Sequence, residues 1–175
     1  SRSAAKFDPE KLRWLNNRYM KASDDARLAK LAEPFLKADG CNISNGPGLA
    51  DVATLMKERA NTIRELADAA VYFYRQIPPS DELRAQHYSA DAALAIKALR
   101  QKLASLEWNR QALGSALKEI VSVHGLKMPR LAMPLRVMLT GTPHTPSIDA
   151  VLELIGRDEV LRRMDAELVH YPGNV

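Results

Sequence analysis

The sequence IKALRQKLASLEWNRQALGSALKEIVSVHG, residues 96–125, gives the clearest indication of the fold class. Its first apolar series recurs every three or four residues and consists of Ile96, Leu99, Leu103 and Leu106. Its second series has similar spacing, stops before Gly125, and consists of Leu113, Leu117, Ile120, Val121 and His124. Spacings of three and four residues place side chains on one face of an α-helix. The segment therefore predicts two consecutive amphipathic helices.

The same spacing continues on both sides of this segment. Helix-start signals occur at Asp8-Pro9, Ser23-Asp24-Asp25, the Thr62–Glu65 capping box, Asp81, Pro134, Thr145-Pro146 and Asp158. Glycines at 40, 125, 141 and 156 are suited to helix ends. No segment alternates apolar and polar residues in the way a strand does. The sequence predicts an all-α fold.

Individual residues near the N-terminus lead to more detailed expectations. Phe7 can pack on Leu12 as a hydrophobic staple for the first helix. Trp14 lies beside Leu12 and Leu15, so we expect it to pack on the apolar face of that helix. Pro34 lies inside the next helical pattern and is expected to kink or split it.

The pair Pro78-Pro79 interrupts the helical pattern near the middle of the chain. A chain of 175 residues is long enough for one ordinary domain or two small ones. We therefore expect two packed helical subdomains, at residues 1–77 and 78–175.

Basic residues are concentrated in one part of the chain. Residues 97–136 contain eight Lys or Arg and two Asp or Glu, a local charge of +6, whereas the rest of the chain sums to −2. We call residues 97–136 the basic segment. Such a segment is either a solvated helix surface or the binding surface for an anionic partner.

Motifs for catalysis or metal binding are absent from the sequence. There is no GxSxG, no glycine-rich phosphate loop and no HExxH, and the four histidines are widely separated. Cys41 is the single cysteine, which fits a reducing compartment. No apolar run approaches the ~20 residues that a membrane span requires. These residues give no positive evidence of a catalytic site or a metal site, and we expect a cytoplasmic chain with no membrane association.

Several longer motifs occur in a specific order along nearly the whole chain. They are FDPEKLRWLNNRY at 7–19, MKERANT at 56–62, ELAD at 65–68, PLRVMLTG at 134–141, TPSI at 145–148 and VLELIG at 151–156. In that order they resemble the C-terminal, anticodon-binding half of bacterial glutamyl-tRNA synthetase. The resemblance implies a helical cage that binds the anticodon loop and stem of glutamate tRNA.

The resemblance also implies what lies outside this sequence. The initial Ser suggests a processed or excised piece, and in the family a Rossmann-type catalytic domain precedes the helical part. That domain attaches glutamate to tRNA with ATP and Mg²⁺, and its HIGH-like and KMSKS-like signatures are not in this sequence. The chain itself is then expected to bind tRNA as a monomer, without a cofactor.

Arg59 matches the family's arginine that reads the third anticodon base. Its guanidinium carries several donors in a fixed fork, and cytosine presents O2 and N3 as acceptors. Guanine at that position would present donors instead. We expect Arg59 to favour glutamate tRNA over glutamine tRNA.

The family's second site matches Arg136, Thr145, Pro146 and Ile148. The resemblance places Arg136 at the first anticodon base or its phosphate, and Thr145 and Ile148 at the middle base. Thr145-Pro146 also has the sequence of an ordinary helix N-terminus. We expect these residues and Arg59 to line a common surface wide enough for three unstacked bases.

Phosphate contacts are expected to supplement the recognition of bases. Lys11 and Arg13 lie near the joint with the catalytic domain that the resemblance implies. Lys127 and Arg130 belong to the basic segment. All four are candidates for contacts with the tRNA backbone.

Two other functions fit the residues when the resemblance is set aside. The first is a helical protein-interaction scaffold whose basic surface binds an acidic partner. The second is a small helical enzyme that uses Cys41 or a histidine such as His124.

Overall fold

The computed structural model describes residues 8–172, and these residues form ten α-helices with no β-strand. The helices are α1 (Pro9–Ala22), α2 (Asp25–Ala38), α3 (Leu49–Met56), α4 (Ile63–Tyr74), α5 (Asp81–His87), α6 (Ala90–Ser105), α7 (Arg110–Val123), α8 (Met128–Thr140), α9 (Ile148–Ile155) and α10 (Arg157–Leu168). Short 3-10 turns occur at Ile43–Asn45 and Lys57–Arg59. The predicted all-α class is confirmed. Phe7 lies outside the described residues, and so does its predicted packing on Leu12.

The helices divide between two compact units. The first unit ends at Val71 and contains α1, α2, α3 and most of α4. The second begins at Tyr72 and contains α5 to α10. The subdomain limits expected from Pro78-Pro79 stay a prediction. No helix among the described residues is long and apolar enough to span a membrane.

The first unit has a core made mainly by α2, α3 and α4. Leu28, Leu36 and Val52 are almost completely buried there, as are Leu66 and Ala67. The expected buried face of α1 is wrong, because Leu12 and Leu15 are at least 40% exposed and Trp14 is 55% exposed. Only Met20, near the end of α1, is buried. Apolar spacing identified α1 as a helix but did not reveal that these side chains are exposed.

Pro34 does not split the second helix, because α2 is continuous from Asp25 to Ala38. The predicted apolar face of α2 is buried only in part. Leu28 and Leu36 are buried, whereas Leu31 and Phe35 are exposed. The Arg64 guanidinium lies 5.5 Å from the centre of the Phe35 ring, so a cation–π contact partly covers that ring.

The second unit confirms the helical pattern of residues 96–125. Ile96, Leu99 and Leu103 are fully buried on α6, and Leu113 and Leu117 are buried on α7. The three-and-four spacing is informative here because each apolar face has a partner: α6 packs on α8 and α10, and α7 packs on α8 and α9.

Two predicted helix starts in the second unit are wrong by several residues. α8 begins at Met128 rather than at Pro134, and Pro134 is buried inside the helix. α9 begins at Ile148, with Ser147 as its N-terminal boundary residue, so Thr145 is not the cap. Both predictions place a proline at the first helical position, but Pro134 lies inside α8 and Pro146 precedes α9 by two residues.

One arginine is completely enclosed in the second unit. The Arg163 side chain on α10 is 1% exposed, and its Nη1 donates to the carbonyl oxygens of Tyr72 and Leu139 at 2.7 and 2.6 Å. Its Nε donates to Glu159 Oε1 at 2.7 Å. Arg163 thereby ties the ends of α4 and α8 to α10, and the chain that follows α8 carries Thr145.

Candidate nucleic-acid interface

Arg59 ends a 3-10 turn whose two other charged side chains are paired. Lys57 Nζ lies 2.7 Å from Asp25 Oδ1, and Lys21 Nζ lies 2.9 Å from Glu58 Oε2. The Arg59 side chain is exposed, and among residues 8–172 it makes no hydrogen bond or ion pair. The turn therefore fixes the backbone of Arg59 and leaves its guanidinium available to a partner.

The residues around this turn are held by further polar contacts. Asn17 Nδ2 donates to the carbonyl oxygen of Ala60, which is fully buried, at 3.3 Å. The backbone and side-chain nitrogens of Asn61 both donate to Glu65 Oε2, at 2.8 and 3.0 Å. The backbone N–H of Glu65 donates to Thr62 Oγ1 at 3.1 Å, as the capping box predicts. The chain on the C-terminal side of Arg59 is thus held by contacts with α1 and α4.

Asp25 is the anchor for Lys57. Hydrogen bonds from Lys57 and from Thr54 hold the pKa of Asp25 below its usual value, against the opposing effect of burial. The Thr54 hydroxyl donates to Asp25 Oδ2 at 2.7 Å. Asp25 is therefore charged at neutral pH, and its ion pair with Lys57 holds the turn against α2.

In the second unit, Arg136 and Thr145 are in direct contact. Arg136 Nε donates to Thr145 Oγ1 at 3.0 Å, and the Thr145 hydroxyl donates to the carbonyl oxygen of Pro146 at 2.9 Å. Thr145 and Ile148 are each 6% exposed, and Pro146 is also buried. The hydroxyl of Thr145 therefore holds the half-buried Arg136 side chain in place, and the small exposed part of Ile148 lines a groove beside Arg136.

A groove of about 500 Å³ opens beside Arg136. It lies among α7, α8 and α9, and its walls include Lys118, Met128, Met133, Arg136, Ile148 and Asp149. Flexible apolar side chains are thus combined with two cations and one carboxylate. Such a lining suits a flat, partly polar group of the size of a nucleobase.

The segment 145–149 is also held by Arg110, which sequence reasoning had counted only as part of the basic segment. Arg110 Nη2 donates to Ser147 Oγ at 2.9 Å, and Nε donates to Asp149 Oδ2 at 3.0 Å. These contacts cross about forty positions of sequence, so no local motif could have revealed them.

Four cations of the basic segment form ion pairs with carboxylates among the described residues. The pairs are Arg100 with Asp165, Lys102 with Glu119, Arg110 with Asp149, and Arg130 with Asp91. Lys118 and Lys127 are exposed and have no such partner among the described residues. The excess charge of the basic segment is therefore concentrated on fewer side chains than the sequence suggests.

The four expected backbone contacts differ in their surroundings. Lys11 and Lys127 are exposed. Arg13 Nη2 lies 3.3 Å from Glu65 Oε1, although its side chain is 70% exposed. Arg130 Nη2 donates to both carboxylate oxygens of Asp91, at 2.7 and 2.6 Å, and this pairing lowers the pKa of Asp91 to about 2. A phosphate must compete with a carboxylate at Arg130 but not at Lys127.

The residues considered for an enzyme belong to different units. Cys41 is 5% exposed and belongs to the first unit, whereas His124 ends α7 in the second. No three His, Cys, Asp or Glu side chains within residues 8–172 are grouped in a way that could hold a metal ion. Arg59 belongs to the first unit and the groove beside Arg136 to the second, so each is described by itself.

Comparison with known proteins gives a family match and close relatives. The model of the family described as "Anticodon binding domain" matches residues 27–168. The glutamate–tRNA ligase of Nitrosospira multiformis is 57% identical over 173 residues, which are 98% of this chain and 37% of that protein. The glutamate–tRNA ligase of Thiobacillus denitrificans is 56% identical over 166 residues, covering 95% of this chain and 35% of that protein. The chain thus spans little more than a third of these relatives.

Solved structures show the same fold. The glutamate tRNA ligase of Elizabethkingia meningosepticum superposes with a TM-score of 0.85 at 22% identity, over 95% of this chain and 33% of that one. The glutamate-tRNA synthetase of Elizabethkingia anophelis gives 0.79 at 22% identity, over 95% of this chain and 32% of that one. At this identity the likeness concerns the fold alone.

Proposed function

Because the chain belongs to the family of anticodon-binding domains, we propose that it binds the anticodon loop of glutamate tRNA. The observation that carries the specific proposal is the exposed, unpaired guanidinium of Arg59 on a turn whose neighbouring charges are all engaged. A single-stranded loop offers base edges that such a group can read.

Arg59 is proposed to read the third base of the anticodon. Glutamate anticodons have cytosine there, and its O2 and N3 accept hydrogen bonds from a guanidinium. Glutamine anticodons have guanine, whose N1 and N2 carry hydrogens that face the donors of Arg59. The fixed backbone at Lys57–Arg59 supports this role, because a reading group must be held in one position to discriminate.

Arg136 and its groove are proposed to hold the first and middle bases. Arg136 is oriented by Thr145, and Thr145 is fixed in turn by Pro146. Ile148 lines the groove, so a middle base that enters it meets an apolar wall. Lys11, Arg13, Lys127 and Arg130 are proposed contacts for phosphates of the anticodon stem and loop, which add affinity without base preference.

The activity of a longer protein is part of the same proposal. The relatives are glutamate–tRNA ligases of which this chain corresponds to little more than a third. We propose that the remaining part ligates glutamate to tRNA with ATP and Mg²⁺, as a monomer in the cytoplasm. The chain described here supplies the tRNA-binding surface for that reaction.

Filter binding with labelled transcripts tests the proposal. The 175-residue chain is titrated against glutamate tRNA, against the same tRNA with guanine as third base, and against a tRNA with an unrelated anticodon. We expect the tightest binding to the glutamate anticodon and a steep decrease in affinity with salt. Equal binding of all three transcripts contradicts the proposal.

A pull-down from nuclease-treated lysate distinguishes the scaffold hypothesis. If the basic segment binds an acidic protein, a partner remains bound after the RNA has been degraded. The tRNA proposal instead expects the bound material to be lost with the RNA.

A further inference from the structure

The N-terminal residue of α7 makes three polar contacts with α9 and the residue before it. Arg110 Nη2 donates to Ser147 Oγ at 2.9 Å, and Arg110 Nε donates to Asp149 Oδ2 at 3.0 Å. The backbone nitrogen of Arg110 donates to Glu153 Oε1 at 3.1 Å, one turn further along α9. Arg110 therefore fixes both the position and the direction of the helix start.

Arg110 is itself on a rigid support. Trp108 Nε1 donates to the carbonyl oxygen of Glu153 at 3.3 Å. The guanidinium carbon of Arg157 lies 5.6 Å from the centre of the Trp108 ring, and Arg157 also donates to the carbonyl oxygen of Leu106. The segment 106–110 is thus attached to α9 and α10, so Arg110 can act as a fixed point.

The ion pair with Asp149 persists at neutral pH. Burial alone would raise the pKa of Asp149, but hydrogen bonds from Arg110 and from Ser147 outweigh it and leave the pKa below its usual value. The carboxylate is therefore charged, and both ends of the contact remain ionic. A charge-assisted pair of this geometry is stronger than a neutral hydrogen bond.

The segment 145–149 is consequently held from two sides. Arg136 on α8 holds Thr145, and Arg110 on α7 holds Ser147 and Asp149. Ile148, which lines the groove, lies between these points. Ser147 makes no side-chain capping bond to a backbone N–H of α9, and its hydroxyl is held instead by contacts with Arg110 and Asp149.

We infer that Arg110 is a positioning residue for the anticodon site, and that discrimination of the middle base depends on it. The inference rests on the proposed function, because the segment it positions is the one proposed to meet that base. A reading surface that is displaced by a fraction of an ångström loses selectivity before it loses binding.

Three variants test this inference in the 175-residue chain. Arg110→Gln removes the charge and the fork, whereas Arg110→Lys keeps the charge and cannot hold Ser147 and Asp149 together. Arg100→Gln is the matched control, because Arg100 lies in the same basic segment and is bound to Asp165 at 2.8 and 2.7 Å, away from the segment 145–149. Filter binding gives the affinity for glutamate tRNA and for middle-base and third-base variants, and far-ultraviolet circular dichroism checks folding.

The inference predicts a selective effect. The wild type and Arg100→Gln should prefer the correct middle base by about tenfold, an amount typical of one well-made base contact. Arg110→Gln and Arg110→Lys should reduce this preference to about threefold or less and leave third-base preference unchanged. A uniform loss for all transcripts in Arg110→Gln, restored in Arg110→Lys, would identify a phosphate contact and overturn the inference.

Failure of the proposed function gives a different result. If the wild type shows no base preference at any anticodon position, the proposed function and the inference both fall. If the wild type discriminates and Arg110→Gln discriminates equally well, the inference alone falls.

Asp149→Asn gives an independent readout should Arg110→Gln unfold the chain. Loss of a negative charge beside the groove increases the affinity for every RNA if Asp149 acts only through its charge. The positioning role instead predicts reduced middle-base preference, because the partner of Arg110 has been weakened. A uniform increase with unchanged preference overturns the inference.

Discussion

Replacement of the enclosed Arg163 by methionine should strongly destabilise the second unit. Met is apolar and of similar length, so the side chain still fills space, but the carbonyl oxygens of Tyr72 and Leu139 lose their donor. Each buried, unsatisfied carbonyl costs about 1–3 kcal/mol. Glu159 loses one of its two arginine partners but is 35% exposed, so water can replace that contact. We expect a total loss of about 3–5 kcal/mol, as for other broken buried ionic contacts.

The adjacent arginine is a matched control. Arg162 pairs with the same Glu159 at 2.7 Å, but its side chain is 55% exposed. Exposed ion pairs contribute about 0–1 kcal/mol, so Arg162→Met should have a small effect. In a chain of this size, the loss in Arg163→Met corresponds to a decrease in Tm of about 6–20 °C.

Trp108 provides an assay that reports on the second unit. The chain contains two tryptophans, Trp14 in the first unit and Trp108 in the second, so a Trp14→Phe background leaves one fluorophore. Urea unfolding is then followed by Trp108 fluorescence in the wild type and both arginine variants. If Arg163→Met is no less stable than Arg162→Met, the role assigned to the buried guanidinium is wrong.

Three further predictions concern the phosphate contacts, one glycine and the response to acid. Lys127→Ala should reduce the slope of log affinity against log salt by about one, and Arg130→Ala should reduce it by less, because the Arg130 guanidinium is already paired with Asp91. Filter binding over a series of salt concentrations measures both slopes, and a larger reduction for Arg130→Ala than for Lys127→Ala contradicts the prediction. Gly141→Ala should lower the free energy of unfolding in urea more than Gly125→Ala does. Both glycines have positive φ, but a Cβ at residue 141 would lie 2.7 Å from the carbonyl oxygen of Ile77, whereas a Cβ at residue 125 meets nothing within 4 Å. Equal losses of stability in the two variants contradict this prediction. Hydrogen bonds from Arg162 and Arg163 lower the pKa of Glu159 from 4.5 to about 2, although burial opposes this shift. The stability that Glu159 contributes is therefore present above pH 4.5 and is lost as the pH falls toward 2. Glu159→Gln should make stability decrease less steeply over this pH range, and an unchanged decrease contradicts the assignment.

The fold was predictable wherever an amphipathic face has a neighbour to cover it. Ile96, Leu99 and Leu113 are buried as their spacing predicts, because α6 and α7 lie against other helices of the second unit. Spacing failed at α1, where Leu12 and Trp14 are exposed. Periodicity identifies the apolar side of a helix but does not determine whether anything packs on it.

The motifs nominate residues of the candidate site, whose roles stay predictions, but they do not give the contacts of those residues. Motifs identified Arg59, Arg136 and Thr145, but they did not reveal that the Thr145 hydroxyl is occupied by Arg136 and Pro146. The ion pairs of the basic segment join residues as much as 65 positions apart. The sequence alone therefore could not show that Arg130 is paired with a carboxylate, whereas Lys127 has no such partner among residues 8–172. Such pairings follow from tertiary packing, which local patterns do not contain.

We propose that Arg59 reads the third anticodon base, and a single ratio of dissociation constants tests this claim. The ratio is the dissociation constant for glutamate tRNA with guanine as third base divided by that for cytosine, measured for the wild type, Arg59→Gln and Arg64→Gln. Arg64 is the control, since it is a surface arginine of the same unit bound to Asp39 and Asp68. We predict a ratio of about ten or more for the wild type and Arg64→Gln, and a ratio near one for Arg59→Gln. A ratio that Arg59→Gln leaves at the wild-type value contradicts the claim.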